Sequence, residues 1–394
     1  MNKTLSNVKI LDLSMIVAGP YGTMILADMG AEVIKIENPK TGEAGRGLPP
    51  HYLEGESAYF ISLNRNKKSV TLDLKSEIGL NIFYDLVRVS DVVINNFRPG
   101  IVQKLKIDYE TLNKINPKII CCSITGYGET GPASNRPAFD LIIQARGGIM
   151  SFTGEPGGKP VKMGAPIADL SGGIFAATGI LAALYQREIT GRGQKIDISM
   201  LDCQISLLTY RAQYYLVAGE IAKPSGCGHS AVHPLRDFHT KTFDIVLDCN
   251  TQKIFDNLAE KIGDPRLINN PKFGSRNNRY THREELYKIL DEIFMTRTGE
   301  EWLELLEENI PIAPVNTVDR ALKDPQVLSR NMVVDIPFGS EKQLKIIGNP
   351  IKMSMNEESF IAPPKLGQHT SNVLKGILGY DDKKIEELKN HKII

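Results

Sequence analysis

The stretch "VKILDLSMIVAGPYGTMILADMGAEVIKIE" (residues 8–37) decides the fold class, because two short apolar runs flank a helical segment. The runs "VKILDL" (8–13) and "EVIKIE" (32–37) are typical of buried strands. Between them, "GPYGTMILADMGA" (19–31) begins with Gly and Pro and continues as an apolar helix. A strand, a helix and a second strand in this order predict a βαβ unit with parallel strands.

The same alternation continues along the chain. "SEIGLNIFYDLVRVS" (76–90) predicts a helix, while "DVVIN" (91–95) and "KIICCSI" (118–124) predict further buried strands. One face of that helix is apolar, with Ile82, Phe83, Leu86 and Val87. Strands separated by helices predict an α/β fold built on a parallel sheet.

A second helix, "GGIFAATGILAALYQRE" (172–188), is small and apolar nearly all round, which predicts a buried helix. The glycines of "TGRGQ" (190–194) end it, and "KIDISMLD" (195–202) predicts a strand and then a helix.

Near residue 220 the composition changes. "GEIAKPSGCGHSAVHP" (219–234) is rich in Gly, Pro, Ser and His, and predicts a linker or an exposed loop.

The domain organisation follows from this change. With 394 residues, the chain is too long for one ordinary core. The strand "TFDIVLDCN", the helix "QKIFDNLAEKIG" and a capping box at Thr298 and Glu301 indicate a smaller α/β or α+β domain. We therefore expect a large domain that begins with residues 1–200, a linker at 201–225, a small domain at 226–325, and a linker with a C-terminal return to the large domain at 326–394.

Composition excludes several classes of function. The net charge of +1 gives no general attraction to nucleic acid or to a membrane surface. We see no uninterrupted apolar run of membrane-spanning length and no signal peptide, so a cytoplasmic enzyme is expected. Five cysteines without a CxxC pair predict neither a disulfide framework nor a zinc site. His229, His233 and His239 match no zinc spacing and are interpreted as surface or packing residues.

Two glycine-rich or basic stretches could bind phosphate. "GYGETG" (126–131) fits the dinucleotide pattern, but two prolines follow it closely, so we expect a loop and no nicotinamide cofactor.

"LNRNKKSVTLDLK" (63–75) is either a solvated basic turn or a phosphate clamp. Asn96 and Arg98 follow a strand, where ligands of parallel sheets bind. The cations of the basic stretch are Arg65, Lys67, Lys68 and Lys75.

The acidic residue Asp169 stands out in "VKMGAPIADLSGG" (161–173), because its neighbours are apolar or glycine. One interpretation is the N-cap of the helix that follows. The other is a covalent nucleophile, since a poorly hydrated carboxylate is more reactive. The two are compatible. Histidine is absent from residues 52–228, so Ser–His or Cys–His catalysis by this region is not expected.

Seven motifs in this order resemble family III CoA-transferases, the group that contains formyl-CoA, carnitine and bile-acid CoA-transferases. They are "LDLSMIVAGPYGTMILADMGAEVIKIENP", "NRNKKSVTLDLK", "NNFRPG", "GYGETGP", "RPAFDLIIQARGG", "GAPIADLSGG" and "TGRGQKIDISMLD". The resemblance implies a Rossmann-like large domain built from both chain ends, a smaller α/β domain and an interlocked homodimer. It also implies transfer of CoA from an acyl-CoA thioester to a carboxylic acid, with Asp169 forming a mixed anhydride. The residues themselves predict no metal, because no cluster has metal-ligand spacing.

The resemblance also implies a set of CoA contacts. By position these are Val17, Ala18, Asn38, Leu72, Asp73, Leu74, Lys75, Asn96, Phe97, Arg98, Lys104, Arg136, Pro137, Ala138, Phe139 and Asp140. Gly226 and Gly228 match a mobile glycine loop, a candidate lid. Formyl-CoA transferases carry Gln at the position of Val17 and Tyr at that of Phe139, which favours a more apolar acid than formate or oxalate. They carry Arg at the position of Asn38, so the contacts to the CoA nucleotide are expected to differ there.

Two other functions remain open on sequence grounds. The resemblance extends to α-methylacyl-CoA racemases, which move a proton at the α carbon and use a His at the position of Phe139. Phenylalanine cannot move a proton, so this function is disfavoured. A non-catalytic CoA-binding subunit would keep the CoA contacts without needing Asp169. Small carboxylic acids and a second copy of the chain are the expected partners, with no nucleic acid and no membrane.

Overall fold

A computed structural model describes residues 3–229, 231–339 and 342–394. The chain divides into two compact units. The first runs up to Ile149 and includes Lys162–Gly219 and Gln326–Ile394, so both chain ends belong to it. The second contains Met150–Val161 and Glu220–Pro325. Most of residues 201–225, expected as a linker, is helical and belongs to the first unit.

The strands, in chain order, are β1 (Lys9–Asp12), β2 (Glu32–Glu37), β3 (Tyr52–Leu53), β4 (Glu56–Ser57), β5 (Lys67–Thr71), β6 (Val92–Asn95), β7 (Ile120–Thr125), β8 (Lys195–Ser199), β9 (Leu235–Phe238), β10 (Ile245–Asp248), β11 (Ile312–Pro314), β12 (Val333–Phe338) and β13 (Lys342–Ile347).

The helices are α1 (Ala18–Asp28), α2 (Ala58–Ile61), α3 (Glu77–Arg88), α4 (Ile101–Lys104), α5 (Tyr109–Ile115), α6 (Asp140–Arg146), α7 (Ile167–Thr190), α8 (Met200–Leu207), α9 (Thr209–Ala218), α10 (Gln252–Ile262), α11 (Arg276–Thr281), α12 (Arg283–Phe294), α13 (Gly299–Leu306), α14 (Val318–Ala321), α15 (Pro325–Ser329), α16 (Thr370–Leu378) and α17 (Asp382–Asn390).

The large unit is built on one sheet with the strand order β5-β2-β1-β6-β7-β8. Every neighbouring pair is parallel, which confirms the prediction of an α/β fold. The chain first builds the sheet outward from β1 through β2 to β5, and then starts again on the other side of β1 with β6. Such a reversal opens a crevice at the carboxyl ends of the two central strands, where ligands of open sheets bind. Asp12 and Asn95 end these strands.

Each face of the sheet has its own apolar core. On one face, Ile10 and Ile94 pack with residues of α1 and α7. On the other face, Leu11 and Val93 pack with α3 and with the C-terminal helices α16 and α17. Alternate residues of β1 and β6 therefore point to opposite cores, as the period of a strand requires. Cys121 and Cys122 are buried in β7, as predicted.

Helix α7 differs from its prediction in two ways. It begins at Ile167, so Asp169 lies inside its first turn and is not its N-cap. It is also not buried all round, because Ile174, Phe175, Tyr185 and Ile189 are exposed. By length and composition alone α7 could cross a membrane, but half of its most apolar window is buried inside this chain. We interpret it as a core helix that is buried on one face, while its other apolar face is not covered by any part of the single chain that the structure describes.

The second unit contains the antiparallel sheet β11-β10-β9, which makes it α+β rather than α/β. Its core joins residues of that sheet to helices α10, α12 and α13, with Phe238, Phe294 and Trp302 among the buried side chains. The predicted capping box at Thr298 and Glu301 is present.

Candidate active site

Asp140 holds the start of α7. Its Oδ1 accepts hydrogen bonds from the main-chain N–H groups of Ala168, at 2.9 Å, and Asp169, at 3.4 Å. Its Oδ2 accepts from Nε2 of Gln144, at 2.7 Å, and Oε1 of Gln144 accepts from the N–H of Met163, at 2.9 Å. The cap expected from Asp169 is therefore supplied by a residue of α6. Asp169 is therefore not needed as the cap of its own helix.

The Asp169 carboxyl is poorly solvated and has a negative neighbour. Burial, followed by the charge of Asp140, raises the pKa of Asp169 from 3.8 to about 7. None of the ion pairs among the described residues includes Asp169. A carboxylate with a raised pKa holds its lone pairs less tightly, so it is a better nucleophile when ionised.

Tyr59 is a site residue that the sequence did not reveal. It lies in α2, where Oγ of Ser57 caps the helix by accepting the N–H of Tyr59. Burial raises the pKa of the Tyr59 phenol, and the charges of Asp169, Glu43 and Asp140 raise it further. The charges of these three carboxylates therefore all act on the phenol. Nothing in the sequence signals this, because residues 43, 59, 140 and 169 are far apart along the chain.

Helices α1 and α7 approach closely through glycines. A Cβ atom on Gly173 would lie 2.5 Å from the main-chain oxygen of Ala18, and one on Gly22 would lie 2.7 Å from the oxygen of Gly173. Gly173 is one helical turn after Asp169, since a turn takes 3.6 residues. The start of α1, where Val17 and Ala18 were predicted to contact CoA, therefore lies close to the first turns of α7.

One cavity, with a volume of about 200 Å³, brings six predicted CoA contacts together. These are Asn38, Leu72, Asp73, Leu74, Lys75 and Phe97. The cavity is also lined by Ser14, Met15 and Glu43, which belong to the segment that leads from β1 towards α1 and to the loop after β2. It opens beside the carboxyl ends of the central strands, as expected for a ligand of an open parallel sheet.

A second cavity, of about 270 Å³, lies next to β6 and β7. Phe97 and Arg98 line it, together with Ser123 and Asn135. Of the remaining predicted contacts, Lys104, Arg136, Pro137 and Phe139 are exposed, and Ala138 is partly buried. Residues 126–139 form an irregular segment up to the start of α6, which confirms that "GYGETG" is a loop and does not open a helix.

The phosphate-clamp interpretation of the basic stretch is wrong for two of its cations. Arg65 is buried and binds Asp28, with 2.6 Å between Nη2 and Oδ2. Lys67 is buried and donates to Oδ2 of Asp12, at 3.1 Å. Lys68 pairs with Glu32. The charges of Arg65 and Lys67 are neutralised inside the protein, the Lys68 pair lies at the surface, and only Lys75 of the four lines the cavity of predicted CoA contacts.

Three predicted contacts have side chains in unexpected places. The Asn96 amide is committed to the main chain of Met15, which it binds through both of its polar atoms. The Val17 side chain is only 4% exposed, so it belongs to the core of the single chain. The Asn38 side chain closes a local turn by accepting the N–H groups of Lys40 and Thr41.

The candidate lid lies in the second unit. Gly226 has φ of +59° and donates its N–H to the main-chain oxygen of Gly154, at 2.9 Å. Gly228 donates to the oxygen of Ser225, at 3.0 Å. Of the histidines, His233 is buried against the hydroxyl of Tyr287, and His239 pairs with Asp244 on the surface. Among the described residues, no group of three or more His, Cys, Asp and Glu side chains could hold a metal ion.

Comparison with known proteins gives consistent results. A sequence model of CoA-transferase family III matches residues 5–370. Succinyl-CoA:glutarate CoA-transferase of Homo sapiens is 38% identical over the whole chain and 90% of its own length. Acetyl-CoA:oxalate CoA-transferase of Acetobacter aceti is 36% identical over 93% of the chain and 94% of its own length. The crystal structure of a CAIB/BAIF family protein from Brucella suis superposes with a TM-score of 0.86 at 34% identity, covering 96% of this chain and all of that one.

Proposed function

This protein belongs to CoA-transferase family III and transfers CoA between acyl-CoA thioesters and carboxylic acids; on that premise, we propose that Asp169 carries the acyl group as a covalent mixed anhydride. The observation that carries the proposal is a carboxylate with a raised pKa, held by Asp140 at the start of α7 beside the glycine contact with α1.

The proposed reaction begins with attack on the thioester. An oxygen of ionised Asp169 attacks the acyl carbonyl carbon, a C–O bond forms, the C–S bond breaks, and the electron pair leaves with CoA thiolate. The acceptor carboxylate then displaces the first acid from the anhydride. Finally the thiolate attacks the acceptor's carbonyl carbon, which gives the new thioester and restores the Asp169 carboxylate. The anhydride keeps the energy of the thioester, provided that water is excluded.

The oxyanions of these steps need hydrogen-bond donors. The first amides of a helix have no acceptor within it, and the start of α1 lies close to α7. We therefore assign oxyanion stabilisation to the main chain at Ala18. The cavity lined by Asn38, Leu72–Lys75 and Phe97 would hold the nucleotide end of CoA. In the second unit, Gly226 and Gly228 remain the proposed lid.

We propose a short dicarboxylic acid as the acceptor. Succinyl-CoA:glutarate CoA-transferase of Homo sapiens matches this chain over its full length at 38% identity, and a formyl-CoA:oxalate CoA-transferase does so at 34%. Such acids carry two or three methylene groups between their carboxylates, which fits the more apolar character that the exposed Phe139 predicts relative to formyl-CoA transferases. A purely apolar monocarboxylic acid is the alternative outcome of an acid screen.

We also propose a homodimer, interlocked as the family resemblance implies. None of the residues of α9 is buried within the chain, although the helix carries Tyr215, Leu216 and Val217, which are strongly exposed. Tyr185 and Ile189 of α7 are equally exposed. Apolar surface of this extent normally marks an interface. Light scattering should give twice the chain mass of 43.6 kDa, and Leu216→Glu with Val217→Glu should weaken assembly.

The free thiols support a reducing compartment. All five cysteines are unpaired, and four of them are buried. Intracellular proteins normally keep their cysteines in this state. We therefore propose the cytoplasmic location that the sequence analysis predicts.

Hydroxylamine trapping tests the covalent step. The enzyme is incubated with succinyl-CoA and then with hydroxylamine, and its peptides are weighed by mass spectrometry. Conversion of Asp169 to its hydroxamate is expected. Modification of another residue, or full activity of Asp169→Ala, would refute the proposal. Asp202→Ala, a neighbouring first-turn aspartate on α8, is the matched control and should still be trapped at Asp169. A solvent-deuterium exchange assay with 2-methylacyl-CoA tests the racemase alternative, which predicts rapid exchange.

A further inference from the structure

The main chain between β1 and α1 has an unusual conformation. Ile16 has φ of +70°, in the left-handed region. Side chains branched at Cβ rarely adopt this region, because the branch clashes with the neighbouring peptide groups. Residues 14–17, which we call the 14–17 turn, lead directly into Ala18 at the start of α1. A residue in this state persists only when its surroundings enforce it.

Side chains from three other segments grip this turn. Oε2 of Glu43 accepts the N–H of Ile16, at 3.0 Å. The Asn96 amide accepts the N–H of Met15, at 2.9 Å, and donates to its oxygen, at 2.7 Å. Nζ of Lys35 donates to the oxygen of Ser14, at 2.7 Å. Five consecutive polar groups of the backbone are therefore fixed, since the N–H of Ser14 is also bound, by Oδ1 of Asp12.

Two of the side chains that bond the 14–17 turn, Lys35 and Glu43, are buried and charged. Lys35 and Glu43 lie 3.5 Å apart with side chains that are 1% and 3% exposed. Lys67 and Asp12 pair next to them, with both side chains fully buried. Burying ion pairs costs desolvation that their attraction often fails to recover, so stability alone is a poor reason for four buried charges. A better reason for these charges is that they define the geometry of the backbone. Glu43, Lys35 and Asp12 each bond the 14–17 turn, and Lys67 bonds Asp12.

We propose that Glu43, Lys35 and Asn96 are positioning residues that force Ile16 into the left-handed conformation and thereby aim the first amides of α1 at the reacting carbonyl. This inference rests on the proposed active site at Asp169. The charge of Glu43 also acts at this site, because it raises the pKa of the Tyr59 phenol, as the charge of Asp169 does.

The test exploits the freedom of glycine in the left-handed region. Glu43→Ala removes the acceptor of the Ile16 N–H, and kcat for CoA transfer from succinyl-CoA should fall by about 10–100-fold, with KM changing much less. Adding Ile16→Gly should recover about tenfold, since glycine adopts the conformation without being forced. Adding Ile16→Ala is the matched control and should recover nothing, because alanine still resists a positive φ.

Two results would overturn the proposal. One is wild-type kcat in Glu43→Ala, and the other is equal recovery by Ile16→Gly and Ile16→Ala. Should Glu43→Ala not fold, the same pair of substitutions is added to Asn96→Ala, whose amide binds the neighbouring residue of the turn. Hydroxylamine trapping at Asp169 is measured separately. If no hydroxamate formed at Asp169, the covalent mechanism would be refuted. The comparison of Ile16→Gly with Ile16→Ala would still test the role of the turn.

Discussion

Asp140 binds the N–H of Asp169 and at the same time places a negative charge beside its carboxyl group. The hydrogen bond fixes the proposed nucleophile at the start of α7. Burial contributes most to the raised pKa of Asp169, and the charge of Asp140 raises that pKa further. One side chain of α6 therefore fixes the geometry of the proposed catalytic group and helps to set its acidity.

The first prediction concerns the pH dependence of transfer. In the proposed mechanism Asp169 must be ionised to attack, and its pKa is raised to about 7. We therefore expect kcat/KM to rise with pH through about 7 and then to level off. Asp140→Asn removes the negative neighbour, lowers the pKa of Asp169 and should move the acidic limb to lower pH. Asp382→Asn, at a side chain that is 91% exposed, is the control and should leave the limb in place. An unmoved limb in Asp140→Asn would contradict the assignment.

The second prediction concerns stability. The pKa of Asp169 is higher in the folded protein, at about 7, than its ordinary value of 3.8. The protonated folded form is therefore favoured, and the free energy of unfolding falls as pH rises from about 4 to 7. Asp169→Asn cannot ionise, so at pH 8 it should be more stable than the wild type, by no more than about 4 kcal/mol. Denaturant unfolding at pH 8 and pH 4 measures this, and an advantage that persists at pH 4 would show that ionisation of Asp169 is not its cause.

The sequence predicted the parallel sheet because its signals are local. Each strand of the pattern, such as "DVVIN" at β6, is a short apolar run that has no alternative to burial. The helix of residues 76–90 was predicted for the same reason, and α3 begins after the N-cap Ser76. The extent of burial of α7 could not be predicted from its own residues, since it depends on which other parts of the protein cover each face of the helix.

The site was harder to predict because its bonds connect distant residues. The spacing of Arg65 and Lys67 is the same whether they face a ligand or a buried carboxylate, and their partners Asp28 and Asp12 lie 37 and 55 positions away. The cap of α7 similarly comes from Asp140, 28 positions before Ala168. Sequence motifs therefore predicted Asp169 as the nucleophile and Asp140 as a CoA contact, but not that Asp140 holds the start of α7.

The third prediction concerns Tyr59. Its side chain is accessible, at 36% exposed, and the charges of Asp169 and Asp140 act on its phenol, so we expect its hydroxyl to donate to an oxyanion or an acid at the proposed site. A hydrogen bond to a charged group contributes about 1.5–3 kcal/mol, so Tyr59→Phe should lower kcat/KM by about 10–100-fold. Tyr84→Phe is the control, because it loses a phenol hydrogen bond to Lys106 at the surface and should keep full activity. Equal rates for both variants would exclude a role for the Tyr59 hydroxyl.

The fourth prediction concerns the contact between α1 and α7. A methyl group on Gly173 would lie 2.5 Å from the backbone oxygen of Ala18, which cannot move without displacing α1. Gly173→Ala should therefore destabilise the protein by about 2 kcal/mol, as overpacking typically does, and lower kcat at least tenfold because the two helix ends separate.

Gly179 provides the matched control for this contact, because it lies in the same helix and its Cβ would meet only the end of the Ile196 side chain, at 3.4 Å. Alanine is the better helix former by up to about 1 kcal/mol, so Gly179→Ala should leave stability unchanged or raise it, with normal activity. Thermal unfolding and steady-state rates of the two variants test the prediction together. If Gly173→Ala behaved like Gly179→Ala, close approach of the helices would not be what places Asp169 beside the first amides of α1.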